Sequence, residues 1–216
     1  MRKLVLALAV LVSLASIASA AITGSFVPVA SEGGTSPPAG HVSQDLSVNA
    51  TTDWTGAQLR LIGLGATDIY QDAFSGAGLL PPNSAFFGAF PTLRWDTYAT
   101  AKAPLSAPST AGGAVDIGGA AAAVWNTQSI NQQWFTTDLT DTGVFTLGRF
   151  TLKNTANGTF ELRLDSAGSQ PFRLSGNIVN GVIGGEGPVI PEPSSAILSV
   201  MGLFSMLAVG IRRRKK

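Results

Sequence analysis

The 216-residue chain contains no cysteine, a single histidine and few charged residues, which make up 12% of the sequence. The absence of cysteine excludes disulfides, iron–sulfur clusters and thiol nucleophiles, and one histidine is too few for a zinc ribbon. The folded chain must therefore be stabilised by its apolar core or by a metal, and its length is sufficient for one domain with a sizeable core. No cofactor is expected.

Basic residues are scarce in the middle of the chain. Of the 14 lysines and arginines, two lie near the N-terminus and five form the C-terminus, so residues 21–190 hold seven basic and twelve acidic residues, a net charge of −5. Nucleic-acid-binding domains need a basic surface. The composition therefore predicts no nucleic-acid partner.

The N-terminal segment has the layout of a secretory signal peptide. Arg2 and Lys3 precede an apolar stretch from Leu4 to Leu14, and Ala18-Ser19-Ala20 matches an A-x-A cleavage site. We predict a signal peptide over residues 1–20, cleaved between Ala20 and Ala21. The alternative is an uncleaved N-terminal anchor.

The C-terminal segment predicts a membrane anchor. The 16 residues from Ala196 to Ile211 carry no charge and precede five basic residues, Arg212, Arg213, Arg214, Lys215 and Lys216. A helix of that length spans about 24 Å, which fits a roughly 30 Å bilayer core if the flanking basic side chains snorkel. The basic cluster predicts that residues 212–216 are cytoplasmic. A buried core helix is the alternative, and it leaves the cluster unexplained.

Between the body and this helix lies Pro191-Glu192-Pro193, followed by two serines. This motif, one hydrophobic helix and a terminal basic cluster together resemble the PEP-CTERM sorting signal. The resemblance covers only the last 28 residues or so. It implies export in a bacterium with an outer membrane and processing near Pro191-Glu192-Pro193 by exosortase, a membrane protease-transpeptidase. It also implies transient or permanent residence in the cytoplasmic membrane, then association with the cell surface or an exopolysaccharide matrix.

Composition divides the rest of the chain into three parts. Residues 21–41 are rich in glycine, proline and serine and predict a flexible arm, with a short strand near Phe26–Val29. Residues 42–184 predict one β domain. Residues 185–195 form a Gly/Pro linker that contains the sorting motif, and each residue before a proline is biased toward extended backbone, as a protease groove requires.

Alternating apolar and polar residues predict many short strands in the β domain. The clearest prediction is a hairpin that joins Arg149–Lys153 to Phe160–Leu164 through Asn157-Gly158. The apolar alternation slips at Gly148, which predicts a β-bulge. A second turn is expected at Asn180-Gly181. We predict an all-β, antiparallel β-sandwich of about eight to ten strands, either jelly-roll or immunoglobulin-like.

Two alternatives to a purely structural protein remain at this point. The acidic residues are mostly single aspartates, and the closest pairs are Asp68 with Asp72 and Asp138 with Asp141. Such a pair favours a secreted polysaccharide-active enzyme if the two carboxylates converge, although loop acids of this kind are more often solvated. Calcium binding in a loop stays open. His41 is not expected to be catalytic because no G-x-S-x-G motif accompanies it.

The four tryptophans support the other alternative. Trp54, Trp95, Trp125 and Trp134 either fill the core or form an exposed sugar-stacking face, as in a carbohydrate-binding module. From the sequence we expect a non-enzymatic surface or matrix protein of structural or interaction type, with the carbohydrate-binding module and the polysaccharide-active enzyme as alternatives.

Overall fold

A computed structural model of the chain describes residues 21–75, 78–102, 105–137 and 141–184. All of them belong to one compact unit, Ala20–Pro188. The signal peptide over residues 1–20, the helix over 196–211 and the basic tail over 212–216 are predictions that lie outside the described residues. Within those residues no helix has the length and apolar character needed to cross a membrane.

The described chain is all-β, with antiparallel strands throughout, which confirms that part of the prediction. In chain order the strands are β1 (Ile22–Pro28), β2 (His41–Ala50), β3 (Trp54–Ile62), β4 (Tyr98–Ala99), β5 (Ser109–Thr110), β6 (Val124–Trp125), β7 (Ile130–Phe135), β8 (Gly143–Lys153), β9 (Gly158–Ser166), β10 (Phe172–Val179) and β11 (Val182–Ile183). Three short 3-10 helices cover Ser84–Phe86, Pro91–Trp95 and Val115–Ile117.

The strands form two sheets. The smaller sheet has the order β1-β2-β8-β4, and the larger has the order β11-β10-β9-β3-β7-β5 with β6 paired to β7. Strand alternation decides which side chains enter the core. On β3, Leu59 and Leu61 are buried while Arg60 between them points outward, and Phe160 and Leu162 on β9 are likewise fully buried. Each such side chain contributes about 1.5–3 kcal/mol of burial free energy.

The first twenty residues of the described chain are more ordered than their composition suggests. In place of a flexible arm, β1 pairs with β2 along its whole length, from Ile22 opposite Ala50 to Pro28 opposite Gln44. Phe26 makes edge contacts with Phe150 and Phe160, with ring centroids 5.7 and 5.4 Å away. These two rings belong to different sheets, so Phe26 helps hold the sheets together.

The predicted bulge at Gly148 is confirmed. On β2 and β8 the pair Asp45–Arg149 is followed by Ser47–Thr146, so β8 carries one extra residue at this point. Glycine is required here because a Cβ on Gly148 would lie 2.6 Å from the carbonyl oxygen of Tyr98 on β4. The bulge thus lets β4 approach closely enough to pair.

The predicted hairpin across Asn157-Gly158 is wrong. β8 pairs with β2 and β4 in the smaller sheet, whereas β9 pairs with β3 and β10 in the larger one. A two-residue I′ turn needs positive φ at both central residues, and neither Asn157 nor Gly158 has it. Gly158 instead allows close packing on β3, since a Cβ there would lie 2.4 Å from the Ile62 carbonyl oxygen.

Two other local predictions have different outcomes. Asn180 and Gly181 do adopt positive φ, 52° and 75°, and join β10 to β11 as expected. The sequence also predicts one strand over Thr92–Thr100, but the first part of this segment belongs to the 3-10 helix Pro91–Trp95 and only Tyr98–Ala99 forms a strand. Proline suits the first turn of a helix because its missing N–H has no partner there.

A buried arginine ties the loops to the smaller sheet. Arg149 on β8 donates two hydrogen bonds to Asp45, at 2.8 and 3.0 Å, one to the carbonyl oxygen of Arg94, at 2.7 Å, and one to Glu32. Its guanidinium also lies over the Trp95 ring, 5.3 Å from the centroid. Burial alone would lower the pKa of Arg149, but the hydrogen bonds to Asp45 and Glu32 outweigh it and raise the pKa above its ordinary value.

Candidate functional site

The residues with a predicted processing role lie almost entirely outside the described chain. Pro191, Glu192 and Pro193, the five basic residues 212–216 and Ala20 are not described. Ala21, the predicted first residue of the mature protein, is described. Its carbonyl oxygen accepts hydrogen bonds from the backbone N–H and the hydroxyl of Thr51, at 2.7 and 3.0 Å.

The tryptophans do not form an exposed platform. Trp54, Trp95 and Trp134 are at most 1% exposed, and Trp125 is half-buried against Trp134 and Phe150. The core interpretation of these residues therefore holds, and the carbohydrate-binding alternative loses the exposed tryptophans on which it depended.

The predicted pair of Asp68 with Asp72 does not converge either. Asp68 accepts a hydrogen bond from the Gly65 backbone at 2.7 Å, while Asp72 turns into the protein. Asp138 lies outside the described residues, and Asp141 is buried beside Lys102, 3.7 Å away. No group of three or more metal-ligating side chains occurs among the described residues.

Asp72 meets a different carboxylate, Asp96, which is 1% exposed. The backbone N–H groups of Asp72 and Thr97 donate to Asp96 Oδ1 at 2.9 and 3.0 Å, and the Ser75 hydroxyl donates to Oδ2. Burial raises the pKa of Asp96 from 3.8 to about 6, and the negative charge of Asp72 adds to that rise. Burial and Asp72 also raise the pKa of Tyr70, whose hydroxyl donates to Asp72, to about 12.

Asp96 has the raised pKa of a general acid, but its surroundings are those of a structural group. Every hydrogen bond just described lies within the loop of residues 70–75 or joins Asp96 to that loop or to Thr97. Neither Asp72 nor Asp96 lines either of the two surface grooves described below. The pair therefore holds the loop against the domain.

Next to this loop lies a patch of exposed phenylalanines that the sequence did not signal. Phe74, Phe86 and Phe90 are 53%, 44% and 40% exposed. Phe74 stacks on Phe90 with centroids 4.2 Å apart, and it meets the edge of Phe86 at 5.6 Å. The stacking covers one face of the Phe74 ring and one face of the Phe90 ring. The three rings therefore bury part of their apolar surface against one another.

The outer face of the larger sheet is more strongly organised. Gln58 on β3 lies opposite Gln133 on β7 and opposite Arg163 on β9, so three neighbouring strands place long polar side chains in one row. Asp165, the next outward residue after Arg163 on β9, lies opposite Gly56. The row is continuous because all of these are outward positions of paired strands.

The 3-10 helix Val115–Ile117 lies over this row, and its Asp116 fixes two of the row's side chains, Gln58 and Arg163. Asp116 accepts a hydrogen bond from Gln58 Nε2 at 2.5 Å, and its backbone N–H donates to Gln58 Oε1 at 3.0 Å. Arg163 forms an ion pair with Asp116 at 2.8 Å. The amide of Gln58 is thereby fixed at both ends and is only 4% exposed.

Beside this helix the outer face opens into a groove of about 340 Å³, which we call the Gly56 groove. Its lining includes Gly56, Gln58, Asp116, Gln133, Phe135 and Asp165. The floor is open because Gly56 has no side chain, and the strand register shifts between Trp54 and Gly56. A Cβ at position 56 would come no closer than 3.5 Å to the nearest atom of a neighbouring residue, so packing does not require a glycine at this position.

The charges at the Gly56 groove nearly cancel. Arg163 lies between two carboxylates: it contacts Asp116 at 2.8 Å and Asp165 at 2.9 Å. Arg173 donates to the backbone carbonyl oxygen of Asp116 at 3.2 Å. The groove therefore presents fixed donors and acceptors without a strong field of one sign.

A second groove, of about 530 Å³, lies farther along β3 and β7. Its walls include Arg60, Ile62 and Asn131. Two of these side chains are already engaged: Asn131 donates to the carbonyl oxygens of Ala120 and Ala122, at 2.9 and 2.8 Å, and Arg60 pairs with Glu161 at 2.7 Å. The Gly56 groove is the better candidate for a binding site because its lining includes two carboxylates and the ring of Phe135, whereas none of the described residues that line the second groove is acidic or aromatic.

No protein-family model, no curated protein and no solved structure matches this chain. The proposals that follow therefore rest on its own residues and geometry.

Proposed function

We propose that the protein is exported, held in the cytoplasmic membrane by its C-terminal helix and processed at Pro191-Glu192-Pro193 by an exosortase-like membrane protease. The processed domain then serves at the cell surface or in an extracellular matrix, in a structural or binding role. The single observation that carries this proposal is the order of three elements in residues 189–216: a rigid Pro-Glu-Pro motif, an uncharged 16-residue segment and five basic residues.

The limits of the folded unit support this proposal. The unit runs from Ala20 to Pro188, so cleavage after Ala20 and at Pro191 would remove none of the strands that the structure describes. Strand β1 begins at Ile22, which is fully buried, and Ala21 is hydrogen-bonded to Thr51. A mature chain that begins at Ala21 would keep all of these contacts.

A structural or binding role is favoured over catalysis by the position of the acidic residues. The carboxylate with the most strongly raised pKa, Asp96, is enclosed by Ser75, Asp72 and Thr97. Asp116 and Asp165, which do line a groove, share one ion-pair partner, Arg163. A general acid or nucleophile needs access to its substrate, and neither arrangement offers a free carboxyl pair.

We also propose an immunoglobulin-like strand arrangement rather than a jelly roll. In that arrangement strands A, B, E and D form one sheet and G, F and C the other, and extra strands can extend the second sheet beyond C. The orders β1-β2-β8-β4 and β10-β9-β3-β7 correspond to this pattern. The chain passes from β8 to β9 as E passes to F, from one sheet to the other.

Intact-mass measurement of the protein purified from fractionated native cells tests the sorting proposal. We expect a mass that begins at Ala21 and ends near Pro191–Pro193, and any excess mass would identify an attached group. Replacing Pro191, Glu192 and Pro193 with alanine should leave a chain that runs to Lys216 in the inner-membrane fraction.

Replacement of Pro37 and Pro38 with alanine is the matched control, because it likewise removes two prolines but leaves the motif intact. It should be processed as the wild type is. A wild-type chain that runs to Lys216 and stays in the membrane would contradict processing, and the tail would then be a permanent anchor.

A further inference from the structure

We propose that the Gly56 groove binds an uncharged saccharide, and that the outer face of the larger sheet, rather than any tryptophan, is the recognition surface of this domain. The inference rests on the proposed function in one respect, since export is what would bring the domain into contact with extracellular saccharides. Binding itself does not depend on export and can be measured on the purified protein.

The charge balance of the groove selects the ligand class. An anionic ligand would be repelled by the two carboxylates that line the groove, Asp116 and Asp165. A cationic ligand would have to compete with Arg163, which already pairs with both carboxylates. A neutral ligand avoids both penalties, because it does not have to displace a paired ion.

The polar groups suit hydroxyls, which both donate and accept hydrogen bonds. Carboxylates are acceptors only, guanidinium nitrogens are donors only, and a glutamine amide offers both. Asp116, Asp165 and Gln133 line the groove from three different elements, so adjacent hydroxyls of one ring can pair with different groups. A site built from such groups discriminates strongly against ligands that lack the matching hydroxyls.

The groove is also rigid before any ligand arrives. Gln58 is held by two hydrogen bonds to Asp116, and Arg163 is held by contacts with Asp116 and Asp165. All of these except Asp116 lie on β3 and β9, in the middle of the larger sheet. Ordered side chains on a sheet lose little further conformational entropy when a ligand binds.

Size and the one aromatic ring complete the fit. A volume of about 340 Å³ lies at the small end of the range for ligand pockets and accommodates about one or two sugar rings. Phe135 is half-buried on β7, opposite Gly56, and gives one wall an apolar face. The C–H face of a pyranose ring packs against such a surface while its hydroxyls reach the polar side.

Isothermal titration calorimetry on the full-length protein, in a detergent without a sugar headgroup, tests the proposal. The probes are three neutral hexasaccharides, cellohexaose, maltohexaose and xylohexaose, with hexagalacturonate as the acidic counterpart. We expect saturable binding of at least one neutral probe. Gly56→Leu, which fills the floor, should abolish it, and Phe135→Ala should weaken it about tenfold.

Gly88→Leu is the matched control for Gly56→Leu. Gly88 is exposed, a Cβ there would meet no atom within 4 Å, and its residue does not line the groove. It should bind as the wild type does. Asp165→Asn keeps the volume of the groove and removes one charge, so a loss of affinity in this variant, with unchanged circular dichroism, excludes misfolding as the cause.

Three results would overturn the proposal: no binding of any neutral probe, tighter binding of hexagalacturonate, or equal affinity in wild type and Gly56→Leu. The first two reject the ligand class and the third rejects the groove. None of them affects the processing of the tail, which the intact mass measures independently.

Discussion

The buried carboxyl of Asp96 predicts an unusual dependence of stability on pH. Its pKa is raised from 3.8 to about 6 in the folded protein, chiefly by burial. The unfolded chain binds this proton less tightly, so between pH 4 and 6 the folded state holds more protons. The free energy of unfolding therefore falls as the pH rises through this interval, and above pH 6 the full cost of a buried carboxylate is present.

The magnitude follows from the two pKa values. Their difference of roughly two corresponds to about 3 kcal/mol, at 1.36 kcal/mol for each pKa unit. Asp96→Asn removes the titrating group and can keep its contacts, because an amide oxygen can accept from the backbone N–H groups of Asp72 and Thr97. The new amide N–H can donate to the Ser75 hydroxyl oxygen, and the Ser75 proton, which points to Asp96 in wild type, can turn to the carbonyl oxygen of Asp72, 3.0 Å away.

Urea unfolding of the mature protein from pH 4 to pH 8 measures this effect as the difference between Asp96→Asn and wild type. The variant should match wild type near pH 4 and exceed its stability by up to about 3 kcal/mol above pH 7. Asp53→Asn, which removes one charge from a half-buried aspartate, controls for net charge. A difference that does not change with pH would refute the reasoning.

Three further predictions concern stability and burial. Arg149→Met should destabilise the domain by about 1.5–3 kcal/mol in urea, because the half-buried carboxylate of Asp45 and the carbonyl oxygen of Arg94 lose their donor. Arg149→Lys should recover little since lysine lacks the planar fork, and equal stability of wild type and Arg149→Met would contradict this. Gly148→Ala should lower stability by about 1–3 kcal/mol through the clash with β4, whereas Gly88→Ala should leave the urea midpoint unchanged. Acrylamide should quench the tryptophan fluorescence of the folded protein only weakly, and strong quenching before unfolding would contradict the burial of these rings.

Features that depend on local chain geometry could be predicted from the sequence. A slip in apolar alternation located the bulge at Gly148, because one extra residue in a strand shifts the alternation of its side chains by one position. The turn at Asn180-Gly181 was equally local: residues with low-cost positive φ stood between two short apolar runs. The all-β class followed from many such patterns together.

Features that depend on which strands become neighbours could not be predicted. The dipeptide Asn157-Gly158 has the same composition as Asn180-Gly181, yet its φ values are not positive and its flanking strands enter different sheets. The apolar residues of β8 and β9 can be buried side by side in one sheet or face to face between two sheets. Alternation along each strand is identical in both cases, so the sequence pattern does not distinguish them.

The Gly56 groove extends this argument from fold to function. Its residues come from β3, β7, β9 and the helix Val115–Ile117, and Gly56 and Asp165 are separated by more than half of the β domain in sequence. Single outward polar residues such as Gln58 and Gln133 look like ordinary solvated positions until the register sets them side by side. Tryptophan is a frequent sugar-stacking residue, but its large apolar ring is also costly to expose to water. In this domain Trp54, Trp95 and Trp134 are therefore buried in the core. In a sandwich of this kind the recognition surface is therefore better sought among outward amides and carboxylates fixed by their neighbours than among the largest aromatic side chains.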